Sequence, residues 1–476
     1  MSEESLGLPQ VMEKQTMRRR VFSLAWPIIA ENGLETLLGI VDTILVAHLA
    51  QSAVALAGVG SAVQVMQILL SALAALSIGA SVLVAQAVGA RDLKRANRLA
   101  RQSLLWSVIL SLPLAIGGFL IPGLVIGMFG LEPAAADIGA RYMQVTMGTA
   151  VVLTGLFIGG GVLRGAGDSR TPLIITTVAN VINVPLAYGL IYGQWGLPDL
   201  GAVGSAWATF IARGLALVVL LIVLWKGRNR AGITIRGKGG WRPDFTVARS
   251  VLSIGVPAAL EQIITAAAFF VGTIVVGHLG TTVFAANRIV FTALSISFLP
   301  GIGFAIAGTA MMGQSVGAKR IEDGAAAVRI ATQWAVIWMG SMAVLIIVFA
   351  PQLMTLFSPD VTVIDAGTGG LRIISLTMPA LGITFVQAGG MRGAGDTRTP
   401  MLIFSFGVWV SVGLGALALM TVGGGLVATS AGWAITGPIM AWLMTRRFRG
   451  MIRKLTQTEP EPVGTMALAS EPATPG

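Results

Sequence analysis

The chain has 476 residues, 55% hydrophobic and only 11% charged, with a mean hydropathy of +0.82. A soluble domain carries about 25% charged residues, so a water-facing surface of ordinary character is excluded and an integral membrane protein of many spans is expected. No cysteine and only two histidines occur among charges that sum to +11, which excludes disulfides and thiolate metal sites and leaves little scope for a histidine metal centre.

"MEKQTMRRR" precedes an apolar run too long for the core of a signal peptide, so that run is read as a first membrane span with its N-terminus inside. About twelve stretches approach the ~20 residues a bilayer crossing needs. They lie roughly at 20–47, 54–87, 96–126, 138–162, 171–192, 201–226, 248–278, 284–316, 326–354, 366–390, 399–421 and 426–446. Alternate loops carry the positive charge: Arg18 to Arg20, Arg91 to Arg98, Arg164 and Arg170, Lys226 to Arg242, Lys319 and Arg320, Arg392 and Arg398, and Arg446 to Lys454. The intervening segments, such as "GLEPAAAD" and "GQWGLPDL", contain no Lys or Arg. This alternation fixes the span count and places both termini in the cytoplasm, and it accounts for the net charge without nucleic acid. The fold expected is an all-α polytopic membrane protein.

Span 1 carries Glu31, Glu35 and Asp42; spacings of 4 and 11 put them within roughly 40° on one face. Carboxylates in hydrocarbon cost about 2.5–3.5 kcal/mol by insertion scales, which makes them functional candidates. Span 4 ends in "LRGAGDSRTP" at 163–172, and "MRGAGDTRTP" recurs at 391–400 with eight of ten positions matched. This is not a phosphate loop, since no strand precedes it and no Lys-Ser/Thr follows. It is read as an inter-span turn. Gly165 and Gly167, with Gly393 and Gly395, permit positive φ. Thr171 and Thr399 stand as N-caps before Pro172 and Pro400 at N1. Asp168 and Asp396 lie at the positive end of the next helix. The arginines hold the loop on the cytoplasmic side. Span 5 adds Asn180 and Asn183 on one side, and span 6 adds Arg213, which could neutralise a span 1 acid. His48 and His278, at the outer ends of spans 1 and 7, are read as interfacial structural residues.

The second half repeats the first. Pro27, Glu31, His48 and Leu49 fall on Pro257, Glu261, His278 and Leu279 at an offset of 230, and "AQAVGAR" falls on "GQSVGAK" at 228. Six spans per copy return the second to the same orientation, so two parallel, pseudo-symmetric six-helix bundles are expected, with a cleft between them. The organisation expected is a cytoplasmic segment 1–17, a bundle 18–226, a linker 227–247, a bundle 248–450 and a disordered tail 451–476. Within that register Glu31 is kept as Glu261. Glu35 becomes Thr265, Asp42 becomes Gly272, Asn180 becomes Val408 and Asn183 becomes Ser411. The polar set therefore belongs to one bundle. Asp42, Asn180 and Asn183 are the candidates for cation or proton coupling. Glu31, Glu35, Glu261 and Arg213 are candidates for lining the cleft, the two repeated acids either attracting cationic substrates or forming structural pairs.

With "GIVDTILVAHL", "AQAVGARD", "LRGAGDSRTP" and "NVINVPLAYGLIYG", the chain resembles the multidrug and toxic compound extrusion (MATE) family of prokaryotic type over residues 18–450. The resemblance implies an exporter of drugs or metabolites driven by an inward flow of H+ or Na+. It also implies that an aspartate of span 1 and an asparagine of span 5 hold the cation or proton. Two departures stand out. Ala187 occupies the place, four after Asn183, where one branch of the family has an acid, and no carboxylate lies between Arg372 and Arg392. The expected function is therefore cation-coupled antiport by rocking bundles, with no cofactor and possible Na+ at Asp42 as the one metal. The expected substrates are amphipathic and often cationic small molecules, and the protein is expected as a monomer in the inner membrane of a prokaryote. A lipid-linked precursor flippase of the same superfamily is the alternative. A membrane-bound enzyme is disfavoured because no nucleophile–base set is present.

Overall fold

In the computed structural model the described residues are 7–49, 52–237 and 240–458. Among them the first half forms α1 (Gly7–Ala47), α2 (Ser52–Gly89), α3 (Leu93–Leu120), α4 (Pro122–Gly127), α5 (Pro133–Gly148), α6 (Ala150–Gly165), α7 (Arg170–Tyr192) and α8 (Val203–Lys226). The second half forms α9 (Phe245–Gly277), α10 (Thr281–Gly317), α11 (Ile321–Val348), α12 (Ala350–Phe357), α13 (Val361–Ser375), α14 (Met378–Gly393), α15 (Arg398–Val422) and α16 (Gly425–Thr458). Counted with the broken pairs α3–α4, α5–α6, α11–α12 and α13–α14 as single crossings, these make the twelve spans of an all-α membrane protein, six in each half.

The breaks repeat at an offset of 228 and have local causes. α5 and α6 meet at 47° around Thr149, and α13 and α14 at 48° around Thr377. Each threonine hydroxyl donates to the carbonyl three residues back, Thr149 to Thr146 at 2.5 Å and Thr377 to Ile374 at 2.6 Å. Such bonds compete with the helix ladder and favour a bend. The other two breaks fall at Ile121 and Phe349, followed by Pro122 and Pro351 in the first turn of the next helix. Proline is tolerated there because its missing N–H has no intrahelical partner to lose.

Two boundaries differ from the expectation. α1 begins at Gly7, inside the expected N-terminal segment, and α16 runs to Thr458, past the expected start of a disordered tail. On α16 the apolar face continues beyond the membrane-length stretch: Met444 and Phe448 are fully or nearly buried in a core with Val328, Ala331 and Met391. That burial holds the helix together where the sequence becomes basic. The linker 227–247 is likewise bound down. Gln102 of α3 donates to the carbonyls of Gly240 (2.6 Å) and Arg242 (2.7 Å) and accepts from the Asp244 amide (3.0 Å). Asn97 accepts from the Thr234 amide, and Ile233 and Ile235 are buried against α3. Asp244 caps α9 and pairs with Arg98 at 2.5 Å. Burial pushes its carboxyl up, but the Thr246 and Val247 amides and Arg98 outweigh that and hold it below the ordinary carboxylate range.

The halves meet through α1 and α2 on one side and α9 and α10 on the other. Glycine makes the approach possible, because an added Cβ would collide with backbone or side chain across the seam. The collisions are Gly79 with Val251, Gly89 with the Gln314 carbonyl, Gly317 with the Gln86 carbonyl, and Gly303 with Ile29. All four lie in the half of the molecule nearest the basic loops.

Candidate functional site

The repeated decapeptide sets the frame. Gly167 and Gly395 do take positive φ, +92° and +98°. Gly165 and Gly393 do not: both end helices, and their role is close approach, since a Cβ would strike the carbonyls of Ser81 and Thr309. The capping expectation also needs correction. Thr171 is not the cap and Pro172 is not at N1. Asp168 is the acceptor, taking the Thr171 amide at 3.1 Å and its hydroxyl at 2.7 Å, while α7 already starts at Arg170. Asp396 accepts the Thr399 amide at 3.0 Å in the same way, ahead of Pro400. A carboxylate reaches a donor three residues on more readily than a threonine hydroxyl placed inside the helix. Asp168, fully buried, also accepts the Arg230 amide at 3.0 Å and so ties the linker to the turn.

Arg164 and Arg392, expected only to hold the loop on the cytoplasmic side, turn their side chains inward to acids of α1 and α9. Arg164 pairs with Glu31 through both carboxylate oxygens at 3.0–3.1 Å, and Arg392 pairs with Glu261 at 2.5 Å. The four side chains are 10–17% exposed. The two repeated acids are thus neutralised by the two repeated arginines. Across the seam, Gln314 donates to the Gly165 carbonyl at 2.9 Å and accepts from Arg20 at 3.1 Å, while Gln86 donates to the Gly393 carbonyl at 3.2 Å. Each glutamine thereby satisfies a helix-end carbonyl of the opposite half.

The half-specific residues gather along one stripe of α8. Ser205, Thr209 and Arg213, at spacings of four, face one way. Arg213 pairs with Glu35 at 3.0 Å, the neutralisation expected of it. Thr209 accepts the Asn183 carboxamide N–H at 3.1 Å. The Ser205 hydroxyl lies within hydrogen-bonding reach of the Asp42 carboxylate, and Tyr142 and Arg213 lie within electrostatic reach of it. No hydrogen bond among the described residues joins Asp42 directly to Asn180 or Asn183. Instead Asp42 Oδ1, Asn183 Oδ1 and Asn180 Nδ2 are each buried with no hydrogen bond of their own. Unmet polar groups in the interior are costly and rare. Ser205 and Thr209 were not singled out from the sequence; their only signal is the spacing of four on an otherwise apolar span.

The repeat again serves as a control. Ser411 and Thr436 share a hydroxyl–hydroxyl bond where Asn183 and Thr209 bond in the first half. In that register Ser205 and Arg213 fall on Gly432 and Met440. Among the described residues no group of three His, Asp or Glu side chains could hold a multivalent metal. The first-half cluster offers a carboxylate, a carboxamide oxygen and a hydroxyl, donors suited to a monovalent cation or, at the carboxylate, a proton. With Glu31, Glu35 and Glu261 each paired, the excess of acid narrows to Asp42. His48 and His278 bond to the carbonyls four residues back, at 2.8 and 2.9 Å, in keeping with a structural role.

A family model described as MatE matches residues 27–189 and 257–417, one stretch in each half. Curated relatives include proteins named "Probable multidrug resistance protein NorM". The one from Thermotoga maritima is 29% identical over 407 residues, covering 84% of this chain and 85% of the relative. The one from Acinetobacter baylyi is 29% identical over 406 residues, covering 82% and 86%. Among solved structures, "Outward-facing conformation of a multidrug resistance MATE family transporter of the MOP superfamily" aligns with a TM-score of 0.85 at 23% identity, over 93% of this chain and 97% of that one. "Crystal structure of MATE in the straight conformation" aligns at 0.86 with the same identity and coverage. At that identity the likeness establishes the fold.

Proposed function

This chain belongs to the MatE family, and we propose that it exports amphipathic small molecules, many of them cationic, in exchange for an inward-moving proton or sodium ion. The relatives named as multidrug resistance proteins support the efflux reading. The observation that carries the coupling assignment is the unpartnered, buried Asp42 Oδ1, found in the half whose copy has Gly272 at that place. Asp42 takes the coupling ion, with Asn180 and Asn183 supplying neutral amide groups beside it. Glu35 and Arg213 form the charged wall of the same face, and the Glu31–Arg164 and Glu261–Arg392 pairs fasten the turns to the first helix of each half.

Residues 18–226 and 248–450 act as the two rocking bundles, joined by 227–247, with 1–17 and 451–476 in the cytoplasm of a prokaryotic cell and the transporter working as a monomer in its inner membrane. Contact near the basic loops then corresponds to a cleft open to the outside. Protonation or sodium binding neutralises Asp42, and this drives transport only if one arrangement of the bundles binds that ion more tightly than the other. A flippase for lipid-linked precursors would need a surplus of cations in the cleft to hold pyrophosphate. Here Arg164, Arg213 and Arg392 are each taken up by a glutamate.

Purified protein in vesicles, with pH and sodium gradients imposed separately, tests the proposal. One gradient should drive dye uptake, and Asp42→Asn should abolish the gradient dependence while leaving a folded, monodisperse protein. Coupled transport by Asp42→Asn at the parental rate refutes the assignment.

A further inference from the structure

The linker between the halves folds over the start of α3 and leaves a groove there, outside the cluster around Asp42. The groove encloses about 740 Å³ between the first turns of α3, the linker stretch 240–243 and the start of α9. Lys94, Arg98 and Arg101, at spacings of four and three, line it from one face of α3, and Arg242 lines it from the linker. Asp244 is the one carboxylate in the lining, so three positive charges stand in excess. Among the described residues the Lys94 and Arg242 side chains make no ion pair, and Arg101 spends a single N–H, on the Arg236 carbonyl at 3.3 Å. Arg98 pairs with Asp244, but its side chain is 58% exposed, and an exposed pair holds its partners only weakly. Cations that converge on one concavity repel one another, and a bound anion relieves that cost. The walls are fastened in place. Gln102 pins the linker by three hydrogen bonds, and Gly240, at φ +88°, passes so close that an added Cβ would stand 3.2 Å from Arg101 Nε.

The depth of the groove and its aromatic neighbours point to lipid. α3 and α9 are both long and apolar enough to cross a membrane, and the groove lies at the end of each, where headgroups meet a span. Phe245 is 75% exposed and meets Trp106 of α3 edge-on at 5.2 Å, and Trp241 is exposed in the linker. Aromatic residues at the end of a span sit at headgroup level. A basic concavity between spans at that level suits a phosphate headgroup. The duplication separates this feature from a basic loop in general. At the offset of 228, Lys94, Arg95 and Arg98 fall on Glu322, Asp323 and Ala326, and only Arg101 is kept, as Arg329. Asp323 pairs with Arg320 at 2.6 Å. The second half therefore places acids where the first gathers cations. Because α3 belongs to the first half and α9 to the second, an occupant of the groove touches both.

We propose that this groove binds the phosphodiester headgroup of an anionic phospholipid, taken from the leaflet on the side of the basic loops. The guanidinium groups of Arg98 and Arg101 present paired N–H donors of the kind that match phosphate oxygens, and Lys94 and Arg242 add charge around them. Phe245 and Trp106 offer an apolar surface to the glycerol and the first methylenes of the chains. A zwitterionic lipid brings its own cation and gains less from the excess charge, so the groove selects for net negative headgroups. Neither Asp42 nor the export of drugs is needed for this site.

Native mass spectrometry of the purified full-length protein, titrated in detergent with dioleoyl phosphatidylglycerol, tests this. Dioleoyl phosphatidylcholine serves as the zwitterionic comparison. The first phosphatidylglycerol should bind about 10-fold or more tightly than the first phosphatidylcholine. Lys94→Gln combined with Arg242→Gln removes two charges whose side chains hold no other contact by hydrogen bond or ion pair, so the fold survives. That variant should weaken phosphatidylglycerol about 30-fold and leave phosphatidylcholine within about 2-fold. Lys319→Gln combined with Arg329→Gln removes the same charge from the basic side of the second half and should leave both lipids within about 2-fold. An equal loss in the two double variants shows diffuse attraction and overturns the site, as does unchanged phosphatidylglycerol affinity in the first or a parental protein with no preference between the lipids. Inorganic pyrophosphate at a concentration equal to the lipid should leave phosphatidylglycerol bound; displacement would make the groove a site for soluble phosphates and overturn the lipid assignment.

Discussion

Replacing Gln86 and Gln314 together by alanine should release the seam between the halves. The double variant loses two neutral hydrogen bonds, to the carbonyls of Gly393 and Gly165, and the bond from Arg20 to Gln314. At about 1 kcal/mol for each neutral bond and about 1.5 for the one with a charged donor, and allowing for context, the loss is about 2–4 kcal/mol. That corresponds to a shift of roughly 30- to 1,000-fold toward arrangements in which the basic ends separate. The absence of cysteine makes the assay direct. Val82 is fully buried beside Gly313, so Val82→Cys reports opening through its rate of maleimide labelling. In the double-alanine background labelling should accelerate by at least an order of magnitude. Gln314→Ala alone should do more than Gln86→Ala alone, because it breaks two bonds, while Gln86 makes a single longer one. Labelling within 2-fold of the parental rate would show that the glutamines cap their helices without holding the halves, and the reasoning fails.

Arg164→Met and Arg392→Met should each lower detergent-phase stability by about 3–5 kcal/mol, since they strand Glu31 or Glu261 in the interior. Arg213→Met should cost at most about 1 kcal/mol, because the Glu35 side chain is 43% exposed. Equal losses measured by thermal unfolding would contradict that ordering. Gly165→Ala and Gly393→Ala should prevent folding or expression, while Gly39→Ala, with nothing near its would-be Cβ, should be neutral or stabilising by up to about 1 kcal/mol. Well-folded Gly165→Ala protein would refute the close-approach argument. Asp244 is held below the usual carboxylate range, so its contribution to fastening the linker is complete above about pH 4 and is lost as pH falls through the depressed value. Protease protection of residues 227–247 should follow that course, and protection that declines between pH 7 and 5 would point to another group.

The spans and the duplication were legible because both are written in long-range patterns, hydropathy and the alternation of Lys and Arg. The pairing of Arg213 with an acid of span 1 was legible too, as two opposite charges that hydrocarbon would otherwise penalise. The inward turn of Arg164 and Arg392 was not. An arginine beside a Gly-rich turn reads as an interfacial anchor, and only the burial of that turn against α2 and α10, permitted by Gly165 and Gly393, brings it to Glu31 or Glu261. Asp168 was placed at the right end of its helix but given the dipole rather than the cap, because the helix start was set two residues late. Ser205 and Thr209 carry no signal until the phase of α8 against α1 and α7 is known.

What the two halves share and what they do not divides by physical task. The shared positions are Gln86 and Gln314, Arg164 and Arg392, Glu31 and Glu261, Asp168 and Asp396, and Thr149 and Thr377. They make the contacts that let two bundles meet, bend and hold their turns. Gln86 and Gln314 are needed on both sides because each half supplies the carbonyl that accepts from the other's glutamine, whereas the remaining pairs act within their own half. A carboxylate with an unmet oxygen is different. Every buried copy carries a desolvation cost, whereas one copy suffices to bias a single conformational equilibrium if its ion distinguishes the two states. Duplicating Asp42 at Gly272 would add that cost again.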